Sequence, residues 1–312
     1  VHPEVKLARQ STINIVLNEE KNKSVIGREK RVESHSAAPF QRIDQYFSKV
    51  IGLEDLKKQI KEIYAQVLVS EKRQELGLKS NLQVLHMIFK GNPGTGKTTI
   101  ARMVSELFKE VGVLEKGHFT EVDRSDLVGE YIGHTAKKTK DVIRKALGGV
   151  LFIDEAYSLA RGGEKDFGKE AIDTIVKCME DHHDELIIIL AGYPEEMDHF
   201  LTINPGLASR FPIQLDFSNY EAVELLKIAK VMLEDREYCM TKETERRLYL
   251  HLYRMSMRPG ANFSNARYVR NLLEEAIRKH AWRIICGSNL KKAALMTLEP
   301  DDFSECLHQD NS

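Results

Sequence analysis

Eight consecutive residues constrain this chain more than any others: Gly91-Asn92-Pro93-Gly94-Thr95-Gly96-Lys97-Thr98. Gly94 and Gly96 let the backbone fold its N–H groups around an anion, Lys97 can reach the outer phosphates of a triphosphate, and Thr98 offers a hydroxyl to Mg²⁺. The flanks agree with that reading. Leu85-His86-Met87-Ile88-Phe89 is a short apolar run suited to a buried strand, and Ile100, Met103, Val104, Leu107, Phe108 and Val111 recur at helical spacing. The loop therefore joins a strand to a helix whose N-terminus adds its positive dipole end to the anion site. This is a P-loop, and it implies ATP or GTP chemistry.

Composition narrows the remaining classes. With 312 residues, 42% hydrophobic and 30% charged, the chain has the profile of a globular protein with one large or two ordinary domains. Forty-six basic residues stand against 47 acidic ones, so the chain lacks the overall positive footprint of a dedicated nucleic-acid binder. Cys178, Cys239, Cys286 and Cys306 show no C-x-x-C spacing, which argues against zinc and fits reduced thiols. The first residues hold no apolar signal-type run, and Leu186 to Leu190 is far too short to cross a bilayer. The expectation is a cytoplasmic protein without a membrane span.

Three segments follow from the pattern of apolar residues. Residues 1–39 hold a single strand-like patch, Ile13 to Leu17, within a polar stretch with too little apolar surface to fold alone, and read as a flexible N-terminal arm. Residues 40–217 read as an α/β nucleotide-binding domain. Its first helix follows the turn at Ile51-Gly52, with Leu56, Ile60, Ile63, Tyr64 and Val67 on one face. Strand candidates at His118–Val122, Val150–Ile153, Leu186–Leu190 and Ile213–Phe217 join the one before the P-loop, and their alternation with helices predicts a five-stranded parallel sheet covered on both faces. After Phe217 the pattern is helical only, so residues 218–312 read as a small α-helical domain. The chain shows no internal repeat.

Val150-Leu151-Phe152-Ile153-Asp154-Glu155 is an apolar strand ending in two carboxylates. That ending suits a division of labour. Asp154 would hold Mg²⁺, a hard cation that prefers oxygen ligands, and Glu155 would polarise the attacking water.

P-loop, paired carboxylates and trailing helical domain together resemble an AAA+ ATPase module from about Ile51 to Asp302. More narrowly, Phe89 to Thr99, Asp126 to Thr135 and Asp154 to Leu159 resemble the stage V sporulation protein K family of Bacillus-like bacteria, which includes the CbbX-type rubisco activases. The resemblance implies an ATP- and Mg²⁺-dependent hydrolase with a helical lid. It further implies a homo-oligomer, usually a hexamer, that binds nucleotide between neighbouring subunits and engages a protein substrate in a central pore. Carried over residue by residue, it makes Gly91, Asn92, Pro93, Gly94, Thr95, Gly96, Lys97, Thr98 and Thr99 the nucleotide loop, and Ile51-Gly52 the segment against adenine. Thr98 and Asp154 become the Mg²⁺ ligands, with Glu155 and Lys97 in the hydrolytic centre. Arg210 matches an arginine finger acting on the neighbour's ATP, which in other NTPases is worth roughly 10³ to 10⁵ in rate. Arg267 matches the lid arginine that reports the γ-phosphate.

The carry-over weakens at Tyr193, which stands where the family commonly has a small polar residue. Tyr131-Ile132-Gly133 resembles an aromatic-hydrophobic-glycine pore loop, and an exposed aromatic there would give sequence-tolerant contact with a polypeptide; the alternative is that it covers local core. Arg161 to Asp166 reads as a second pore loop or as a charged surface loop. His182-His183-Asp184-Glu185 reads as a solvated turn. Three functions remain: a ring motor that remodels a protein partner during endospore formation, an activase of a rubisco-like enzyme, or an ATP-switched assembly or DNA-processing module. Near-zero net charge argues against DNA.

Overall fold

Apolar residues that alternate between two faces build the centre of the molecule. The computed structural model describes residues 40–79, 84–131, 133–161, 166–257, 263–287 and 290–303. Five strands form one parallel sheet: β1 (Met87–Gly91), β2 (Phe119–Val122), β3 (Val150–Ile153), β4 (Ile187–Gly192) and β5 (Ile213–Phe217), in the order β2-β3-β4-β1-β5. Phe89 lies opposite Ala191 on one side and Leu215 on the other. Phe89, Phe152 and Ile189 enter one apolar cluster, while their neighbours Ile88, Leu151 and Ile188 enter a second. This is the period-2 alternation of a strand, and the complete burial of β3 and β4 shows that both faces are covered.

The first cluster is closed by α1 (Gln41–Phe47), α2 (Glu54–Glu75) and α3 (Lys97–Glu110), through Ile43, Leu56, Ile60, Ile100, Val104 and Phe108. A short α4 (Arg124–Leu127) precedes α5 (His134–Ala146), α6 (Gly168–Asp181), α7 (Pro194–Ile203) and α8 (Pro205–Ala208). Ile143, Ile172, Ile175, Met197 and Phe200 of this group close the second cluster. Because β1 lies between β4 and β5, the chain leaving β1 must cross two strands to reach β2 at the far edge. In such sheets ligands collect beyond the carboxyl ends of the strands.

The helical part comprises α9 (Ala222–Glu234), α10 (Lys242–Ser256), α11 (Asn265–Gly287) and α12 (Lys292–Met296). Leu225, Ala229, Leu233, Leu248, Leu252, Val269, Leu273 and Ala276 belong to the same cluster as Phe89, so the lid and one sheet face share a core. One expectation is corrected here. Strands do not stop at Phe217: β6 (Cys239–Met240) pairs parallel with β7 (Thr297–Leu298). Two-residue strands 58 positions apart carry no periodicity to read. The Arg283 guanidinium forks onto Asp302 at 2.8 and 2.9 Å, fixing the turn at Pro300–Phe303 against α11.

The arm at 1–39 with its Ile13–Leu17 patch, Ile132, residues 162–165 and Cys306 lie outside the described residues. Among those described, no helix is long and apolar enough to cross a membrane.

Candidate active site

The carboxyl ends of β1, β3 and β4 open into one cleft of about 820 Å³. Its floor is the P-loop. Gly94, Gly96, Lys97, Thr98 and Thr99 line it, and α3 begins at Lys97, so the first-turn N–H groups of a 14-residue helix face the same space. Gly96 has φ +96° and Gly94 φ +70°. Gly94 meets a second demand, since a Cβ there would lie 2.1 Å from the Ser264 carbonyl oxygen and 2.7 Å from the Arg267 nitrogen. A side chain at Gly94 would thus collide with the turn that leads into α11.

The Lys97 ammonium donates to the carbonyl oxygens of Gly91 (2.7 Å) and Asn92 (3.0 Å). Burial lowers its pKa from the ordinary lysine value, opposed by the charge of Asp154, assisted by Arg267 and opposed again by Glu155. A half-buried cation beside two carboxylates at the mouth of a cleft fits a triphosphate carrying a divalent cation.

Asp154 and Glu155 leave β3 directly into the cleft. The Glu155 N–H donates to Asp154 Oδ1 at 3.0 Å. Glu155 adopts φ +46°, ψ +44°, a left-handed conformation that non-glycine residues rarely hold. Thr98 and Asp154 supply the oxygen donors that a Mg²⁺ ion prefers.

From the end of β4, Tyr193 also reaches the cleft. Its ring stacks on Tyr157 at 5.8 Å and lies 5.9 Å from the Lys97 ammonium. Apolar side chains also line the cleft: Val50 and Ile51 before α2, with Ile228, Val231 and Met232 of α9. Arg267, in the first turn of α11, lines the cleft with its backbone packed directly against Gly94 of the P-loop.

Of the residues singled out from sequence, the cleft brings together Ile51, Pro93, Gly94, Gly96, Lys97, Thr98, Thr99, Asp154, Glu155, Tyr193 and Arg267. Four others shape it from behind. A Cβ on Gly91 would meet the Phe217 Cβ at 2.6 Å, and one on Gly52 would meet the Glu224 carboxylate at 2.1 Å. Asn92 bonds Asn219, and buried Thr95 donates to the Asn92 carbonyl. Arg210 lies outside the cleft, bonded to Glu180 and, at 2.8 Å, to the Gly206 carbonyl. Tyr131 is 66% exposed after α4, edge-on to His134 at 5.5 Å, and Gly133 is exposed beside it. His182 to Glu185 form a turn in which His183 pairs with Asp184 at 3.1 Å.

Two residues of the site escaped sequence reasoning. Tyr220 donates its hydroxyl to the Thr95 carbonyl at 3.1 Å, and burial together with Glu224 pushes its pKa up to about 12, so it stays a donor. Asn265 is fully buried, and its amide bonds the Pro93 carbonyl and the Asn219 side chain. An asparagine just before a helix was a signal for its placement. Its long-range partners had none.

Comparison with known proteins gives this cleft a lineage. Residues 87–219 match the ATPase family associated with various cellular activities (AAA), and residues 221–312 match the AAA lid domain. The chain is 53% identical over 302 residues to stage V sporulation protein K of Bacillus subtilis, covering 94% of this chain and 93% of that one. It is 47% identical over 264 residues to the chloroplastic ribulose bisphosphate carboxylase/oxygenase activase of Cyanidioschyzon merolae, covering 84% and 89%. Among solved structures, the FIGL-1 AAA domain in complex with ADP superposes with a TM-score of 0.58 at 23% identity, covering 84% and 83%, which speaks to the fold alone. Fold, cleft and kinship agree that this chain belongs to the AAA+ ATPases of the stage V sporulation protein K and CbbX family.

Proposed function

We propose that this ATPase works as a ring motor, hexameric in the way the family resemblance implies, that uses ATP to remodel a protein partner during endospore formation. The observation that carries it is the convergence of Lys97, Asp154, Glu155 and Arg267 on one cleft, while Arg210 lies outside it, bonded to Glu180. A ring assigns that arginine a place, as the finger completing a neighbour's site. In this reading Thr98 and Asp154 would hold Mg²⁺, which would supply neutralisation of charge on the transferred phosphoryl group. Lys97 and the P-loop N–H groups orient the phosphates, and Glu155 takes the proton of the attacking water. The apolar wall of Val50, Ile51, Ile228 and Met232 receives the base.

Likeness to stage V sporulation protein K supports the sporulation setting. A second reading, activation of a rubisco-like enzyme, is supported by the 47% identity to the Cyanidioschyzon activase. One protein decides among them. Glu155→Gln should bind ATP and assemble without turnover, with hydrolysis down roughly 10²- to 10⁴-fold. Light scattering of that variant at saturating Mg·ATP should read a closed ring, and the trapped ring should retain its client from cells. A strict monomer whose wild-type form hydrolyses at full rate rejects the ring.

A further inference from the structure

The lid meets the P-loop along a buried polar seam, and one side chain organises it. Asn265 opens α11 with φ +46° and is fully buried. Its Oδ1 accepts from the Tyr220 N–H at 3.0 Å. Its Nδ2 donates to Asn219 Oδ1 at 3.0 Å, to the Pro93 carbonyl at 3.2 Å and to the Phe263 carbonyl at 3.3 Å. Asn219 Oδ1 in turn accepts from Asn92 Nδ2 at 2.9 Å. Immediately beyond, the Ala266 N–H donates to the Gly94 carbonyl at 3.1 Å. Arg267 is the next residue.

A buried amide with both its oxygen and its nitrogen engaged holds the chain in one orientation. The left-handed backbone at Asn265 redirects the chain into α11 and is tolerated by asparagine because its short side chain bonds locally. Three segments that are distant in sequence are therefore tied at one point: the P-loop, the link between β5 and α9, and the first turn of α11.

We infer that Asn265 is a positioning residue for the hydrolytic reaction, acting through Arg267. It pins the turn that carries the guanidinium to carbonyl groups of the P-loop, so the arginine keeps its place over the phosphate site whatever the rest of the lid does. The inference rests on the reading of Arg267 as the residue that meets the γ-phosphate. Asn265 itself touches no substrate.

The test is a cycle of Asn265→Gly, Arg267→Ala and the double variant in the full chain, with Asn265→Asp alongside. Glycine keeps the left-handed backbone and removes every side-chain bond. Aspartate keeps the acceptor for Tyr220 and loses the donors. Asn265→Gly should lower kcat roughly 10-fold while ATP KM moves less than about threefold, and the double variant should be no slower than Arg267→Ala. Asn265→Asp should be no faster than Asn265→Gly, because its second carboxylate oxygen would be buried against the acceptor oxygens of Pro93, Asn219 and Phe263. Hydrogen exchange without nucleotide should quicken at the Ala266 amide in Asn265→Gly, with the exchange of the β3 and β4 amides unchanged.

Multiplying kcat losses overturn the inference and leave the Arg267 reading intact. A wild-type rate in Arg267→Ala removes that reading and the inference with it. Unchanged exchange at Ala266 in a folded Asn265→Gly protein overturns the inference whatever the kinetics show.

Discussion

The Lys97 ammonium lies 2.7 Å from the Gly91 carbonyl oxygen, six residues back at the end of β1, and so bridges the mouth of its own loop. The same cation is pushed toward the neutral form by burial and toward the charged form by Asp154. Phosphate oxygens would replace carbonyls as its partners at little cost in reorganisation.

Lys97→Ala should therefore weaken ATP binding about 100-fold or more, the scale of losing a buried charge-assisted contact of roughly 3 kcal/mol. A fluorescent-nucleotide titration reads it. Secondary structure and melting should stay near wild type, because the lysine lines a cleft and supports no apolar cluster. Retained affinity would remove Lys97 from the phosphate site.

Arg210→Ala should bind ATP normally and hydrolyse it slowly, with a loss approaching the roughly 10³-fold lower end of arginine-finger effects. Its bond to Glu180 is partly exposed and contributes little stability. Mixing Arg210→Ala with Lys97→Ala should restore turnover, since the Lys97→Ala protomer lends an intact arginine to a neighbour with an intact P-loop. A steady-state ATPase assay across mixing ratios checks this; flat activity counts against a shared site.

Tyr131→Ala removes a side chain that is 66% exposed, so stability should shift by no more than about 0.5 kcal/mol. Basal hydrolysis should persist. Stimulation by the captured client should disappear, and stimulation of normal size would take Tyr131 out of the substrate path.

His86 sets a limit on acid stability. It is 2% exposed, its Nδ1 accepts from the Ile188 N–H, and its Nε2 has no hydrogen-bond partner among the described residues. Burial, with a smaller push from His183, lowers its pKa from 6.5 to about 4. The unfolded chain thus binds a proton between these values that the folded chain refuses. Stability is full above pH 6.5, falls as pH drops and levels off below about pH 4, a loss of about 3 kcal/mol. Urea unfolding at pH 7.5 and pH 5 should show about 2 kcal/mol of that loss. His86→Phe should flatten the difference, and an unchanged pH dependence in that variant assigns it to other groups.

Much of this architecture was readable beforehand because its strands are continuous apolar runs, and the errors have physical causes. β4 runs on to Gly192 where sequence reading stopped at Leu190. Ala191 and Gly192 carry little hydrophobic signal, yet they pair with Phe89 and Lys90. Leu85 and His86 read as strand but precede β1, which begins at Met87. α1 is too short for its two buried residues, Ile43 and Phe47, to reveal a period. In the site, the P-loop and the Asp154-Glu155 pair were legible because local spacing alone dictates their chemistry. Tyr220 and Asn265 were not, since their roles depend on partners 125 and 172 positions away.

Gly94 packs against the Ser264 carbonyl, leaving no room for a methyl group between the nucleotide-binding lobe and the helical lobe that follows it. A bulkier residue at that point would act as a wedge, prising the two lobes apart before any nucleotide arrived. Loss of ATP affinity in such a variant would then report separation of the lobes together with damage to the anion cradle, and only a measurement of the angle between lobes would tell the two apart.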